Sequence, residues 1–175
     1  MIAKKLRHDV ALKQRLFEFA LGSRCLETYK LELLKRSGDP PMHSSELGSV
    51  NFADWFLLQF RFPDGDTVVD KFVREDGSAT EEDKATLLRW KGVIEGTFRV
   101  VQVMPHGYSL IDPNGREFSV KRTVAKAKMQ RIEQGNVMKA RLVPYEDYHL
   151  FSGAVLLIDP VTIELLARMT GPSRE

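Results

Sequence analysis

The chain has 175 residues, 43% hydrophobic and 29% charged, an ordinary globular composition with apolar mass for one sizeable core or two small ones. No run approaches the roughly 18 to 20 consecutive apolar residues that cross a bilayer, and the charged opening has no apolar leader core, so a cytoplasmic protein without membrane contact is expected. Cys25 is the single cysteine, which excludes an intrachain disulfide and a thiolate zinc cluster, and the formal net charge of +2 excludes a uniformly basic or acidic chain.

Charge is nevertheless segregated: +4 over residues 1–39, −5 over 40–95, +6 over 96–143 and −3 over the remainder. The first segment reads as helix, because Leu6, Val10, Phe17 and Leu21, with Leu12, Leu16 and Phe19, recur at three- and four-residue steps among charged residues. Gly22-Ser23 interrupts the pattern and Leu26, Tyr29 and Leu33 resume it, so either one weakened helix or two helices run to about Lys35. Gly38 and Pro40-Pro41 stop it.

Residues 38–49 have the composition of an exposed linker, and residues 52–62 are the most apolar aromatic stretch of the chain. Its aromatic content favours a strand for part of it, although Asn51 and Asp54 could start a helical turn. Pro63-Asp64-Gly65-Asp66 is a turn, followed by a short helix or strand over residues 67–73. Ser78 and Thr80 both supply a hydroxyl cap, with acids at Glu81, Glu82 and Asp83 in the first turn, for a helix over about residues 81–93, which Gly96 ends.

From Thr97 the apolar period changes to two. Strand-like runs cover residues 98–103, 108–111, 117–122, 137–143 and 149–158, separated by turn signals such as Asp112-Pro113-Asn114-Gly115. Five short strands close into a small barrel more readily than they form an open sheet with two bare edges. Residues 123–134 are Ala- and Lys-rich enough for a helix, where an OB barrel carries one; a Src-homology-like barrel is the competing shape. Pro160 opens a short C-terminal helix over residues 160–169. The fold class expected is therefore α+β: a mainly helical region with an aromatic connector (1–95), then a five-stranded antiparallel β-barrel with its C-terminal helix (96–175).

No Gly-x-Ser-x-Gly elbow, Gly-rich phosphate loop or Cys–His pair is present, so no catalytic residues are assigned and no enzyme activity or cofactor is expected. The histidines His8, His43, His106 and His149 are scattered, and Asp64, Asp66 and Asp70 depart from the calcium-loop pattern, so no metal site is expected. The functional signal is the basic segment: Arg116, Lys121, Arg122, Lys126, Lys128, Arg131, Lys139 and Arg141 come from neighbouring strands and their connector, where a barrel would gather them to neutralise phosphates. Tyr108, Phe118, Tyr145 and Tyr148 are near enough in sequence to supply stacking faces, although Phe118 also alternates as a core residue. Nucleic acid is therefore one expected partner. The alternative is an oligomeric adaptor that self-associates or binds protein through the first helix (Leu16, Phe19, Leu26) or the stretch around Trp55.

Asp54-Trp55-Phe56, Pro63-Asp64-Gly65, Leu87-Leu88-x-Trp90, Ala140-Arg141-Leu142-Val143-Pro144 and Leu150-Phe151-Ser152-Gly153, in that order, resemble a family of uncharacterised bacterial proteins in which a helical part precedes a small β module. Some members also carry a SEC-C metal-binding motif. The resemblance covers about residues 50–158 and implies architecture only: the Cys-rich SEC-C segment is missing, and with it the zinc site and partner binding that the motif would bring.

Overall fold

The amphipathic N-terminal pattern folds as two helices, α1 (Ile2–Gly22) and α2 (Cys25–Arg36), parted at the Gly22-Ser23 break. On α1, four-residue steps bury Leu12, Leu16 and Ala20, while Val10, expected on the apolar face, is 66% exposed. The structure, a computed structural model, describes residues 2–22, 25–36, 46–122, 131–153 and 155–159. The expected C-terminal helix, residues 38–45 of the expected linker and most of the 123–134 connector lie outside those residues.

The aromatic stretch is a helix, α3 (Glu46–Leu58), and not a strand. Its apolar residues show no stripe because the helix is enclosed on several sides: Phe52, Phe56, Leu57 and Leu58 are all buried. Phe56 gathers rings around it, Phe60 at 4.9 Å, Tyr29 at 5.1 Å and Phe62 at 6.0 Å between centroids. Fully burying each such side chain contributes about 1.5–3 kcal/mol.

Gly65, at φ +86°, makes the predicted turn into α4 (Val68–Glu75). Thr67 and Asp70 form a reciprocal capping box there, and Thr80 and Asp83 repeat it at α5 (Glu81–Trp90). The expected helix to residue 93 stops at Trp90, since the chain already enters the sheet at Ile94, and Gly96 is a strand residue. Leu12, Leu16, Phe56, Val68, Phe72, Leu87 and Trp90 belong to one core that the five described helices share, and Val143 of the sheet joins it.

Six strands follow among the described residues: β1 (Ile94–Met104), β2 (Gly107–Ile111), β3 (Glu117–Lys121), β4 (Val137–Tyr145), β5 (Tyr148–Phe151) and β6 (Leu156–Ile158). The run expected over 149–158 is two strands, because Gly153 adopts φ +74° between them. The first five close a barrel in the ring order β1-β2-β3-β5-β4 and back to β1, with β6 added beside β4. An all-antiparallel barrel was the wrong expectation on grounds of parity: alternating directions cannot close around five strands without one parallel neighbour pair. That pair is β3–β5, joined at Val120↔His149 and Lys121↔Leu150. Phe98, Val100, Leu110, Phe118, Val120, Met138 and Leu142 fill the interior as a second core. The described end of the connector, residues 131–136, is irregular and carries no helix.

Candidate nucleic-acid interface

Alternation on β1 sends Phe98 and Val100 inward, so Arg99 between them stands exposed. Its cross-strand row is Arg99, Ile111 and Glu117; a bulge between Val100 and Gln102 then resets the register, and the next row is Gln102, Ser109 and Ser119. Lys121 lies one row further, opposite Gly107. On the other flank of β1, Arg99 opposes Val137 and Thr97 opposes Lys139, which makes Arg99 and Lys139 diagonal neighbours about 7–8 Å apart at their backbones. The sequence reading omitted Arg99, although its place between two apolar alternates was the available signal.

The other predicted cations are placed less uniformly. Arg116 is exposed at the β2–β3 turn and donates through Nε to Asp112 Oδ2 at 2.7 Å. Burial opposes the charge on Asp112, but N–H groups of Arg116 and Asn114 and the Arg116 guanidinium hold its carboxyl below the usual range. Arg131 is exposed and paired with Glu133 at 2.9 Å, and Lys139 reaches Glu95 at 3.7 Å. Lys121 Nζ sits 3.4 Å above the centroid of the Tyr148 ring, and Arg122 donates to the Tyr108 hydroxyl at 3.1 Å with its guanidinium over the ring. Lys126 and Lys128 lie outside the described residues.

Arg141 does not belong to an outer basic face. It is 6% exposed, and its guanidinium is spent on Gln59 Oε1 (2.7 Å), the Asn51 carbonyl (3.2 Å) and Glu95 (2.8 Å). It is a tie between α3 and the barrel. A second tie lies beside it: Lys13 Nζ is 2.6 Å from Asp54 Oδ1, and the Ser152 hydroxyl donates to Asp54 Oδ2 at 2.7 Å. Periodicity gave no sign of this junction, whose members come from α1, α3 and the β5–β6 loop.

The three tyrosines are not stacking platforms. Tyr108, Tyr145 and Tyr148 are 4%, 5% and 9% exposed, and Phe118 is a core residue. Burial pushes the Tyr145 phenol up, and the nearby Asp9 carboxylate of α1 pushes it further; burial and the nearby Glu146 raise Tyr148. Short alternating runs carry large aromatics inward as readily as outward, and here the barrel interior took them. Leu16, proposed for self-association, is likewise fully buried, and Phe19 packs on Phe72 with ring centroids 5.3 Å apart.

Among the described residues no three His, Cys, Asp or Glu side chains converge to hold a metal ion, and no helix is long and apolar enough to cross a membrane. The outer face of β1–β3 carries Arg99 and Lys121 at its ends with Gln102, Ser109 and Ser119 between, together with the exposed acid Glu117 in the Arg99 row and the exposed Val101 at the bulge. Comparison with known proteins finds no matching family model and no curated protein of similar sequence, so the family resemblance rests on the residues quoted for it.

Proposed function

We propose that this chain is a non-catalytic cytoplasmic binding protein whose barrel holds nucleic acid through its backbone phosphates. The observation that supports this reading is that Arg99, Lys121 and Arg122 make no ion pair with a described residue while Arg116, Arg131 and Lys139 remain exposed around the same barrel. The ring order with its single parallel pair fits an OB-like barrel better than a Src-homology-like one, and the face of strands two and three is where such barrels take oligonucleotides. Arg141, Tyr108, Tyr145 and Tyr148 are left out of the binding set because they are buried.

The test is fluorescence anisotropy of labelled oligonucleotides at about 50 and 200 mM salt, where each neutralised phosphate adds close to one unit of log–log slope. Saturable binding that weakens steeply with salt, and is lost on joint Arg99→Glu and Lys139→Glu substitution, is the expected result. Binding that ignores salt would defeat the reading.

A second reading, a self-associating adaptor, has one observation in its favour. Leu31 and Leu34, one turn apart on α2, are 57% and 69% exposed. A dimer by light scattering that Leu31→Lys and Leu34→Lys dissolve would support it over the first.

A further inference from the structure

Residues 94–175 contain six aromatic side chains, Phe98, Tyr108, Phe118, Tyr145, Tyr148 and Phe151. The first five are buried, and the sixth, Phe151, is half-buried against Tyr108 with ring centroids 5.9 Å apart. The two tyrosines nearest the cationic end of β3 have their faces covered, Tyr148 by Lys121 and Tyr108 by Arg122. Barrels that hold single strands do so largely by stacking bases on exposed aromatic faces. No Phe, Tyr or Trp face of this barrel is fully exposed; the imidazole of His106 at the β1–β2 turn is.

Its outer face presents another pattern. The row of Gln102, Ser109 and Ser119 is uncharged and hydrogen-bonding. Arg99 lies in the row to one side of it, and Lys121 in the row to the other; from the Arg99 row to Lys121 is the length of β3 from Glu117, four residues or about 13 Å along the strand. Arg99 and Lys121 also lie two strands apart, about 10 Å across the sheet, so their backbones are about 16 Å from each other; the long Arg and Lys side chains can close that to the roughly 12 Å width of a B-form major groove and meet phosphates on its opposite sides. Double-stranded nucleic acid presents just such backbones while keeping its bases stacked on each other.

Resting on the nucleic-acid reading above, we infer that the preferred ligand is a duplex, held through phosphates and sugar edges, and that single strands bind weakly because the barrel leaves no Phe, Tyr or Trp face fully exposed for bases to stack on. The experiment uses the full chain and four labelled probes of about 20 nucleotides with matched sequence at about 50 mM salt. They are duplex DNA, duplex RNA and the single strand of each. Either duplex binding at least about tenfold tighter than its own single strand is the expected result, and the two duplex arms say whether DNA or RNA supplies the backbone. Single strands binding equally or more tightly overturn the duplex inference and leave the nucleic-acid reading standing; no binding by any probe ends both. Ser119→Tyr adds an aromatic face at an exposed position between the cations, where Tyr suits a strand. It should raise single-strand affinity about fivefold or more. A folded Ser119→Tyr protein, checked by circular dichroism, with unchanged single-strand affinity would overturn the stacking explanation.

Discussion

Lys13 and Asp54 meet at 2.6 Å between α1 and α3, and the Ser152 hydroxyl of the barrel completes the group by donating to the same carboxylate. Asp54 is 3% exposed, so its charge is stabilised by these partners and not by water. Asp54→Ala strands the Lys13 ammonium and the Ser152 hydroxyl together. The expected loss is about 2–3 kcal/mol, below the fully buried range because the Lys13 side chain is about one third exposed. Urea unfolding checks it, and a loss under about 1 kcal/mol would mean the group is a bystander.

Gly153 supports that group from the backbone. Its φ is +74°, and a Cβ there would sit 2.6 Å from Asp54 Oδ2. Gly153→Ala therefore meets both a strained backbone and a clash, with an expected cost of about 2 kcal/mol or more. Gly115, at φ +80° with nothing near its Cβ, is the control: Gly115→Ala should cost only the backbone term of about 1–2 kcal/mol. Equal melting temperatures for the two variants would refute the close approach at Gly153.

The arginines separate by the same logic. Arg141 is buried and bound to three groups, so Arg141→Ala should destabilise the fold by about 3 kcal/mol and leave Glu95 without its nearest partner. Arg99 is exposed, and Arg99→Glu should change stability by no more than about 0.5 kcal/mol while weakening nucleic-acid binding. Thermal melts alongside anisotropy decide it: a stable Arg141 variant, or an unfolded Arg99 variant, reverses the assignment.

Acid should destabilise the protein through specific carboxylates. Burial opposes the charge at Asp70 and Asp83, yet hydrogen bonds with Lys91 and Thr67 at the first, and with Thr80 and Arg15 at the second, hold both below the usual range. Asp112 behaves alike. With folded values depressed, the unfolded chain binds protons first, so this stability is complete above about pH 4 and drains as pH falls through the folded values. Asp83→Asn should flatten the acid limb of a stability–pH curve. An unchanged slope below pH 4 would show that Asp83 takes no part in it.

The elements that sequence predicted well are those whose signals are local. Thr80 with Asp83 and the Asp112 to Gly115 turn each carry their own hydrogen-bonding partners within four residues, and both formed as expected. The helix α3 was obscured because burial on several sides erased its period, leaving Phe52, Trp55 and Phe56 to suggest a strand. The candidate site fared similarly. Exposure of Arg116 and Lys139 followed from turn and alternation, whereas the burial of Arg141 depends on Gln59 and Glu95, far away in sequence, and the inward tyrosines depend on which face of each strand the barrel closed upon.

The closure of the barrel through β1 and β4 also orders events in time. That ladder joins residues 94–99 to residues 137–142, whereas α1 to α5 pack chiefly on one another within the first ninety residues. A ribosome releases the helical segment well before β4 exists, so β1 emerges with one edge unclaimed and must wait for its partner. The helices can serve as a preassembled base during that wait, since Val143 of β4 enters their core and Arg141 docks on α3. Truncation before residue 137 should thus yield a protected helical fragment beside an exposed, aggregation-prone β1, a failure of timing and not of helix stability.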